Sequence, residues 1–253
     1  MPKNNNRAAG RKRRLDRELV AQGLFGSTED ALRAVLAGEV STSDRRLTSP
    51  GEQVRPGIEL HVKGRVPYVS RGGLKLERGL AAFDVDPSGL DCLDVGCSTG
   101  GFTDCLLRHG AASVLAVDVG YAQFDWSLRQ NPRVTLVERT NVLDLPEHPK
   151  ACMVDLAVCD VSFTSVLTIL PAVRRLLKQG GRFLTLVKPQ FEAPREDVGE
   201  GGVVRDASVR AAALDRVAHG MRDVGFTIVG TCVSPIHGRK GNEEYLLLGT
   251  LCK

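Results

Sequence analysis

The sequence predicts an α/β fold in which a mostly parallel, seven-stranded sheet follows a small α+β module. From residue 90 onward, apolar segments of strand length alternate with segments of helical periodicity, a pattern typical of a doubly wound sheet. A glycine-rich turn at 94–104 joins the first of these strands to a helix. Before residue 63 the elements are shorter and are separated by glycine and proline, so this part buries little by itself.

The elements of the larger region follow one another regularly. Strands are predicted at residues 90–95, 113–117, 134–137, 156–161, 182–187, 227–233 and 245–251. Helices are predicted at 101–108, 121–129, 165–177 and 208–224, and one more, at 73–83, precedes the first strand. In such a sheet, ligands bind at the carboxyl ends of the strands. Polar residues at those ends are therefore the candidates for a functional site.

The glycine-rich turn favours a ligand other than a dinucleotide. Gly96, Gly100 and Gly101 let the backbone turn sharply and approach a ligand closely, but their spacing is not that of a dinucleotide-binding loop. Asp94 closes the preceding strand and Asp118 closes the next, and two such carboxylates suit a ligand with an amine and ribose hydroxyls. The turn resembles the S-adenosylmethionine loop of Rossmann-like methyltransferases. An ordinary turn of an α/β domain is the alternative.

The composition is that of an ordinary soluble protein. Of the 253 residues, 42% are hydrophobic, and no apolar run approaches the roughly 20 residues of a membrane span. The basic start of the chain is not followed by the apolar segment of a secretory signal, so we expect a cytoplasmic protein. The seven cysteines form no C-x-x-C pair and accompany no histidine cluster, so reduced thiols are expected rather than disulfides or a metal site.

Positive charge is concentrated in the first part of the chain. Residues 1–75 contain 15 lysines and arginines against 8 aspartates and glutamates, whereas the rest of the chain carries a small negative excess. This distribution suggests a polyanion that the first part holds and the second part modifies. A solvated basic tail is the alternative.

The N-terminal region divides into a basic, disordered tail at residues 1–13, a small domain at 14–62 and an interdomain linker at 63–74. The domain resembles the ribosomal protein S-four type of RNA-binding domain in Arg14-Leu15-Asp16, Gly38-Glu39-Val40 and Pro56-Gly57, but departs from it at Thr28-Glu29 and Ser41-Thr42-Ser43. A small dimerisation domain is the alternative. From the resemblance and the basic linker we predict six RNA-binding residues: Arg14, Arg17, Arg33, Lys63, Arg65 and Arg71.

Three strand ends of the larger region carry charged residues. Asp160 ends one strand, Lys188 follows the next, and Glu244 stands just before the last, while Lys75 precedes the first strand. Methyl transfer to a hydroxyl suits this set, because a lysine takes up a proton when burial or a second cation favours its neutral form. Carboxylates then hold the ammonium groups and the sugar in place.

This region resembles the FtsJ-like ribose 2′-O-methyltransferases, whose Lys-Asp-Lys-Glu tetrad falls on Lys75, Asp160, Lys188 and Glu244. From about residue 14 onward, the chain resembles the TlyA, or hemolysin A, family of ribosomal RNA methyltransferases. The strings that carry the resemblance include Leu186-Val187-Lys188-Pro189-Gln190-Phe191-Glu192 and Gly241-Asn242-Glu243-Glu244-Tyr245.

The resemblance implies a Rossmann-like class I methyltransferase domain at residues 75–253. It implies transfer from S-adenosylmethionine to the 2′-hydroxyl of a cytidine in the RNA of ribosomal subunits, without a metal. Lys188 is then the general base, Asp160 orients it, and Lys75 and Glu244 position the ribose. The implied cofactor-binding residues are Asp94, Gly96, Ser98, Thr99, Gly100, Gly101, Phe102, Asp118, Val119, Asn141 and Asp160.

Several alternatives stay open at this point. A catalytically silent RNA-binding or ribosome-assembly factor would keep the same fold, and a membrane-active hemolysin would need an apolar insertion segment that the sequence does not contain. A base or a small molecule is another methyl acceptor to consider. Glu243 competes with Glu244 as the functional carboxylate, and Asn141 either contacts the adenine or caps a turn. The nucleotide and the subunit are not specified, and we expect a monomer or a weak oligomer.

Overall fold

The computed structural model of the protein describes residues 12–22, 24–42, 45–58, 60–63, 67–238 and 240–252. The chain divides into two compact units, Met1–Pro67 and Tyr68–Lys253. Residues 1–11 of the predicted tail and 64–66 of the predicted linker lie outside the described residues. Residues 68–74 of that linker belong instead to the second unit, because Tyr68 is buried there and a helix begins at Gly72.

The described part of the first unit consists of two short helices and several two-residue strands. These are β1 (Arg13–Arg14), α1 (Leu15–Ala21), α2 (Thr28–Leu36), β2 (Val40–Ser41), β3 (Arg46–Leu47), β4 (Gln53–Val54) and β5 (His61–Val62). β2 pairs with β3 and β5, and β1 pairs with β4, all antiparallel. Arg13, assigned to the tail from the sequence, therefore lies in a strand.

The first unit has its own apolar core. Leu15, Leu19 and Val35 are fully buried in it, which places the inner faces of both helices against the strands. Glu18 is also buried, with 2% of its surface exposed, and its carboxylate accepts a hydrogen bond of 2.8 Å from the backbone N–H of Gly57. A buried carboxylate needs such donors, and this one ties α1 to the turn before β5.

The second unit is built on a sheet of seven strands. Its elements are α3 (Gly72–Ala82), β6 (Asp91–Val95), α4 (Gly101–Arg108), β7 (Ser113–Val117), α5 (Trp126–Arg129), β8 (Val134–Val137), β9 (Val154–Cys159), α6 (Val166–Leu176), β10 (Leu177–Val187), α7 (Pro189–Glu192), α8 (Ala207–Asp223), β11 (Phe226–Val233) and β12 (Tyr245–Leu251). The strand order is β11-β12-β10-β9-β6-β7-β8. β12 is antiparallel to both of its neighbours, and the other pairs are parallel. The predicted, mostly parallel seven-stranded sheet is confirmed.

Both faces of this sheet are covered. Successive residues of β6 point to opposite sides, so that Cys92 packs in the cluster beneath α3 and α4, whereas Leu93 packs in the cluster beneath α6 and α8. Burial on both faces explains why the strands read as continuous apolar runs. The polar residues that follow the strands are thereby left at the edge of the sheet.

Two helices differ from the sequence prediction. The helix expected at 121–129 begins only at Trp126, because Ala122 adopts a positive φ of 59° and the Asp125 side chain accepts a hydrogen bond of 2.9 Å from the backbone N–H of Ser127, which fixes the helix start there. The short helix α7 was not predicted, since four residues beginning with a proline show no helical period.

Candidate active site

The four residues of the predicted tetrad meet at one edge of the sheet. Asp160 follows β9 and Lys188 follows β10, which are parallel neighbours with Thr185 opposite Cys159. β12 runs antiparallel to β10 with Tyr245 opposite Val187, so the residue before β12 stands beside the residue after β10. Glu244 and Lys188 therefore come together through strand register alone.

Their charged groups form a row of alternating sign. Lys75 Nζ, delivered by α3, donates a hydrogen bond of 2.6 Å to Glu244 Oε2 and lies 4.0 Å from Asp160 Oδ2. Lys188 Nζ lies 2.6 Å from Asp160 Oδ1. Lys75, Lys188 and Glu244 are all buried, and burial of four charges is tolerated because each has a partner of opposite sign.

The structure separates the two candidate glutamates. Glu244 is 3% exposed and is the one that contacts Lys75. Glu243 points elsewhere: it lies 3.3 Å from Arg210 Nε and accepts a hydrogen bond from the Tyr245 hydroxyl. The alternating direction of side chains in an extended segment sends neighbouring residues to different surroundings.

A hydroxyl group and an aromatic ring lie near the amine of Lys188. Its Nζ donates a hydrogen bond of 2.8 Å to Ser162 Oγ and lies 5.9 Å from the centroid of the Phe191 ring. Phe163 packs against Phe191 with ring centroids 5.4 Å apart. Phe163 is nevertheless 92% exposed and has a positive φ of 65°, a conformation that is rare for a bulky residue and typical of functional sites.

The glycine-rich turn lies beside the tetrad. Gly96 has φ +77°, and a Cβ on it would lie 3.2 Å from Val161 and 3.3 Å from the carbonyl oxygen of Asp160. Gly100 has φ +94°, and a Cβ there would approach Leu128 to 2.5 Å. Both positions require glycine, because an L side chain is strained at such φ values and space is lacking. The turn is thus fixed against the loop that carries Asp160.

Asp94 is the most unusual acid of the site. It is fully buried, Thr103 donates a hydrogen bond of 2.6 Å to its Oδ2, and its Oδ1 has no partner among the described residues. Burial raises the pKa of Asp94 to about 7, the hydrogen bond from Thr103 lowers it in part, and the charge of Asp160 raises it further. A buried acceptor without a donor is the feature that a ligand with an N–H or O–H group would satisfy.

Asp118 joins two loops. Its carboxylate accepts hydrogen bonds from the backbone N–H groups of Ser98, at 2.8 Å, and Gly120, at 2.6 Å. Asn141 caps a turn, since its Oδ1 accepts a hydrogen bond of 3.0 Å from the N–H of Leu143. Each of these oxygens keeps a second lone pair for a ligand.

A cleft of about 910 Å³ connects these groups. It is lined by the whole tetrad and by most of the predicted cofactor-binding residues, namely Gly96, Ser98, Thr99, Gly101, Phe102, Asp118, Val119, Asn141 and Asp160. Asp94 and Gly100 are buried and are not part of the lining. The volume suits a nucleoside-sized ligand together with part of a second one.

The predicted RNA-binding residues are distributed over both units. Arg71 lines the cleft of the second unit. In the first unit, Arg17 and Lys63 are exposed, and Arg33 is exposed with acidic side chains 3.8 and 3.9 Å away. Arg14 is engaged with Asp16 at 2.6 Å. Arg65 lies outside the described residues.

Comparison with known proteins assigns the chain to a family. The model of the FtsJ-like methyltransferase family matches residues 68–250. YqxC of Bacillus subtilis, provisionally named an rRNA methyltransferase, is 47% identical over 94% of this chain and 85% of its own length. The 16S/23S rRNA (cytidine-2′-O)-methyltransferase TlyA of Mycobacterium tuberculosis is 43% identical over 94% of this chain and 89% of its own length. The chain belongs to the TlyA family of FtsJ-like methyltransferases.

A solved structure supports the same assignment. A protein of Streptococcus thermophilus described as a hemolysin is 43% identical to this TlyA-family chain, with a TM-score of 0.73 over 97% of this chain and 90% of the other. In the described part of this chain, however, no helix is long and apolar enough to cross a membrane.

Several groups of this FtsJ-like site were not assigned a role from the sequence. Thr103 binds Asp94, Ser162 binds Lys188, and Phe163 and Phe191 pair beside them. Ser162 and Phe163 stand two and three residues after Asp160, the acid that follows β9, and this position was the one signal that pointed to them. Cys97, inside the glycine-rich turn, is unsuited to the role of a reactive thiol because burial raises the pKa of its thiol well above the ordinary value.

Asp94→Asn is expected to flatten the pH dependence of stability. Because the pKa of Asp94 is raised in the folded state above its ordinary value of 3.8, the folded state holds the proton more tightly, and stability falls as the pH rises from about 4 to about 7. Asn cannot ionise and still accepts from Thr103, so the variant should exceed the original protein by about 2 to 4 kcal/mol at about pH 8.

The measurement is the free energy of unfolding in urea across that pH range. The acidic end serves as the internal control, since both proteins then carry a neutral side chain at position 94 and should be about equally stable. Parallel curves for the two proteins over the whole range would show that Asp94 is not the group responsible.

Proposed function

We propose that the protein transfers a methyl group from S-adenosylmethionine to the ribose 2′-oxygen of a cytidine in ribosomal RNA. The observation that carries the proposal is the buried row of Glu244, Lys75, Asp160 and Lys188 in a cleft beside a glycine-rich turn. The similarity to TlyA of M. tuberculosis, whose name gives this reaction and this acceptor, supports it.

The residues of the glycine-rich turn fit the proposed cofactor. Asp94, next in the chain to the lining residues Val95 and Gly96, has a buried oxygen that lacks a donor among the described residues, and Asp118, which is part of the lining, offers carboxylate lone pairs suited to ribose hydroxyls. Val119 and Asn141 line the same part of the cleft and are proposed to hold the adenine. When bound, S-adenosylmethionine supplies a methyl group on a positively charged sulfur, which is electrophilic without further activation.

The protein then has to prepare a weak nucleophile. Lys188 in its neutral form takes the proton of the 2′-hydroxyl at Nζ as the oxygen attacks, and Asp160 stabilises the resulting ammonium group. Lys75 and Glu244 hold the ribose beside it. A proton that arrives at Lys188 finds a carboxylate oxygen of Asp160 2.6 Å away.

The mouth of the cleft supports a nucleic acid as the acceptor. Phe163 presents an almost fully exposed ring beside the tetrad, and exposed aromatic rings are the usual stacking partners of unpaired bases in RNA. Arg71 lines the same cleft and is suited to a phosphate. A base or a small molecule as the acceptor is less well supported, because neither requires an exposed aromatic ring and an arginine together at the cleft.

The first unit is proposed to be the RNA-binding domain of the enzyme. Its exposed cations, among them Arg17, Arg33 and Lys63, suit contacts to phosphates, and Arg65 is proposed to join them. Arg14 is the weakest of these candidates because Asp16 already engages it. The proposed site of action is the ribosomal subunits of the cytoplasm, with the enzyme working as a monomer or weak oligomer and without a metal.

A catalytically silent RNA-binding factor is the second candidate, since it would share the fold and the basic domain. The complete ion-pair row argues against it, because a buried row of four charges costs stability and has no use in a protein that only binds. We do not favour a membrane-active role.

Lys188→Met should abolish most methyl transfer. Without the amine no group takes the proton, so we expect the rate to fall by at least about 100-fold, while cofactor binding persists at the separate Asp94 and Asp118 region. The assay follows tritiated methyl groups from S-adenosylmethionine into unmethylated ribosomal subunits, and nucleoside analysis should yield 2′-O-methylcytidine. Lys178→Met, at a partly exposed lysine paired with Asp155 and Asp91, is the control and should keep the full rate.

Full turnover by Lys188→Met would remove Lys188 from the role of base. If the unsubstituted protein transferred no label to either subunit although it bound the cofactor, the silent factor would become the better explanation.

Glu244→Gln and Glu243→Gln form a matched pair. Gln at 244 keeps the shape but removes the nearer of the two charged partners of Lys75, so we expect the single-turnover rate to fall by at least about 10-fold. The same change at 243 affects only the contacts with Arg210 and Tyr245 and should leave the rate unchanged. The reverse result would assign the functional carboxylate to Glu243.

Binding to ribosomal RNA should weaken steeply with salt, because contacts to phosphates release counterions. Arg17→Ala is expected to reduce the slope of log K against log salt by about one. Arg175→Ala, at an exposed arginine of the second unit that is paired with Glu147, is the matched control and should leave the slope unchanged. Affinity that does not depend on salt would contradict the proposed RNA-binding domain.

A further inference from the structure

We propose that Ser162 is a positioning residue that aims the lone pair of Lys188 at the acceptor hydroxyl. This inference rests on the proposed function, in which Lys188 is the base, and it adds a residue outside the Lys-Asp-Lys-Glu tetrad to the machinery of the reaction.

The contacts of Lys188 Nζ provide the argument. Among the described residues, it donates one hydrogen bond, to Ser162 Oγ at 2.8 Å, and it lies 2.6 Å from Asp160 Oδ1 in an ion pair that lacks hydrogen-bond geometry. A neutral lysine amine has two N–H bonds and one lone pair. When one N–H bond is donated to Ser162 and the Asp160 carboxylate attracts the other, the lone pair occupies the remaining tetrahedral direction at the nitrogen.

That orientation matters because the amine otherwise rotates. Nζ is joined to Cε by a single bond, so rotation about that bond exchanges the positions of the N–H bonds and the lone pair, and the ion pair with Asp160 alone does not stop this rotation. The hydrogen bond to Ser162 fixes it. Reactions between held groups are sensitive to such alignment, and a small misplacement costs a large part of the rate.

Ser162 is held in place by its neighbours rather than by its own burial. Its side chain is exposed, so no packing requirement explains its contact with the buried Lys188. The loop around it is anchored by Ser165, which caps α6 and donates a hydrogen bond of 2.6 Å to Glu192 on α7. Glu192 also accepts a hydrogen bond of 2.8 Å from the N–H of Val166. The loop with Ser162 and the turn with Lys188 are therefore tied together.

This arrangement separates two kinds of variant. Ser162→Ala removes the acceptor of Lys188 and leaves the anchor intact, whereas Ser165→Ala weakens the anchor and leaves that acceptor. Ser162→Thr restores a hydroxyl at the same position. The three variants are therefore expected to give different results if Ser162 positions Lys188 than if it only stabilises the loop.

The experiment measures single-turnover methyl transfer to unmethylated ribosomal subunits with the full-length proteins, together with cofactor affinity, RNA affinity and melting temperature. For Ser162→Ala we expect the rate of the chemical step to fall by about 10- to 100-fold with both affinities changed by no more than about twofold. Ser162→Thr should recover most of the rate. Ser165→Ala should lose more thermal stability than Ser162→Ala but less of the rate.

Each contrary outcome is decisive. A rate for Ser162→Ala equal to that of the unsubstituted protein, or a loss that appears only as weaker RNA binding, would overturn the role of Ser162 while leaving the proposed function in place. An equal loss of rate in Ser165→Ala would show that the order of the loop is what matters. Absence of methyl transfer by the unsubstituted protein would overturn the proposed function itself and this role with it.

Discussion

The row of ion pairs from Glu244 through Lys75 and Asp160 to Lys188 is the constraint that the rest of the second unit has to satisfy. Four charges at a largely buried edge are tolerable only when each faces an opposite charge at short range. The register of β10 against β12, the placement of α3 ahead of the sheet and the ends of the strands together meet this requirement. The site is therefore a consequence of the same pairing that closes the fold.

The two sides of the cleft differ in whether their polar groups are paired. On the side of the tetrad, charges are paired and neutralise one another. On the side of the glycine-rich turn, Asp94 is buried with one oxygen that has no partner in the described part of the chain, and Gly100 adopts a positive φ that strains other residues. Such features cost stability and are typical of places where a ligand completes the structure. The two sides together suit a reaction between two bound molecules.

The first unit shows what a count of charged residues can predict and what it cannot. Its basic character is evident from the composition, but the structure shows that exposed cations differ in their partners. Arg14 and Arg17 are both exposed, but the guanidinium of Arg14 is paired with Asp16 at 2.6 Å. A count of positive charges predicts an affinity for polyanions, and only the contacts determine which side chains are available for it.

The sequence by itself determined the alternation of strands and helices and the order of the large unit, because strands that are buried on both faces are continuous apolar runs that end in polar residues. It also singled out Asp160, Lys188 and Glu244 beside strand ends and Lys75 ahead of the first strand, with the family resemblance grouping them as a tetrad, and it indicated Glu244 over Glu243 without excluding the latter. Only the tertiary structure decided that Glu244 meets Lys75, that Ser162 binds Lys188, and that one oxygen of Asp94 has no partner among the described residues. These facts depend on strand register and on contacts between residues far apart in the chain, and neither is encoded in a local pattern.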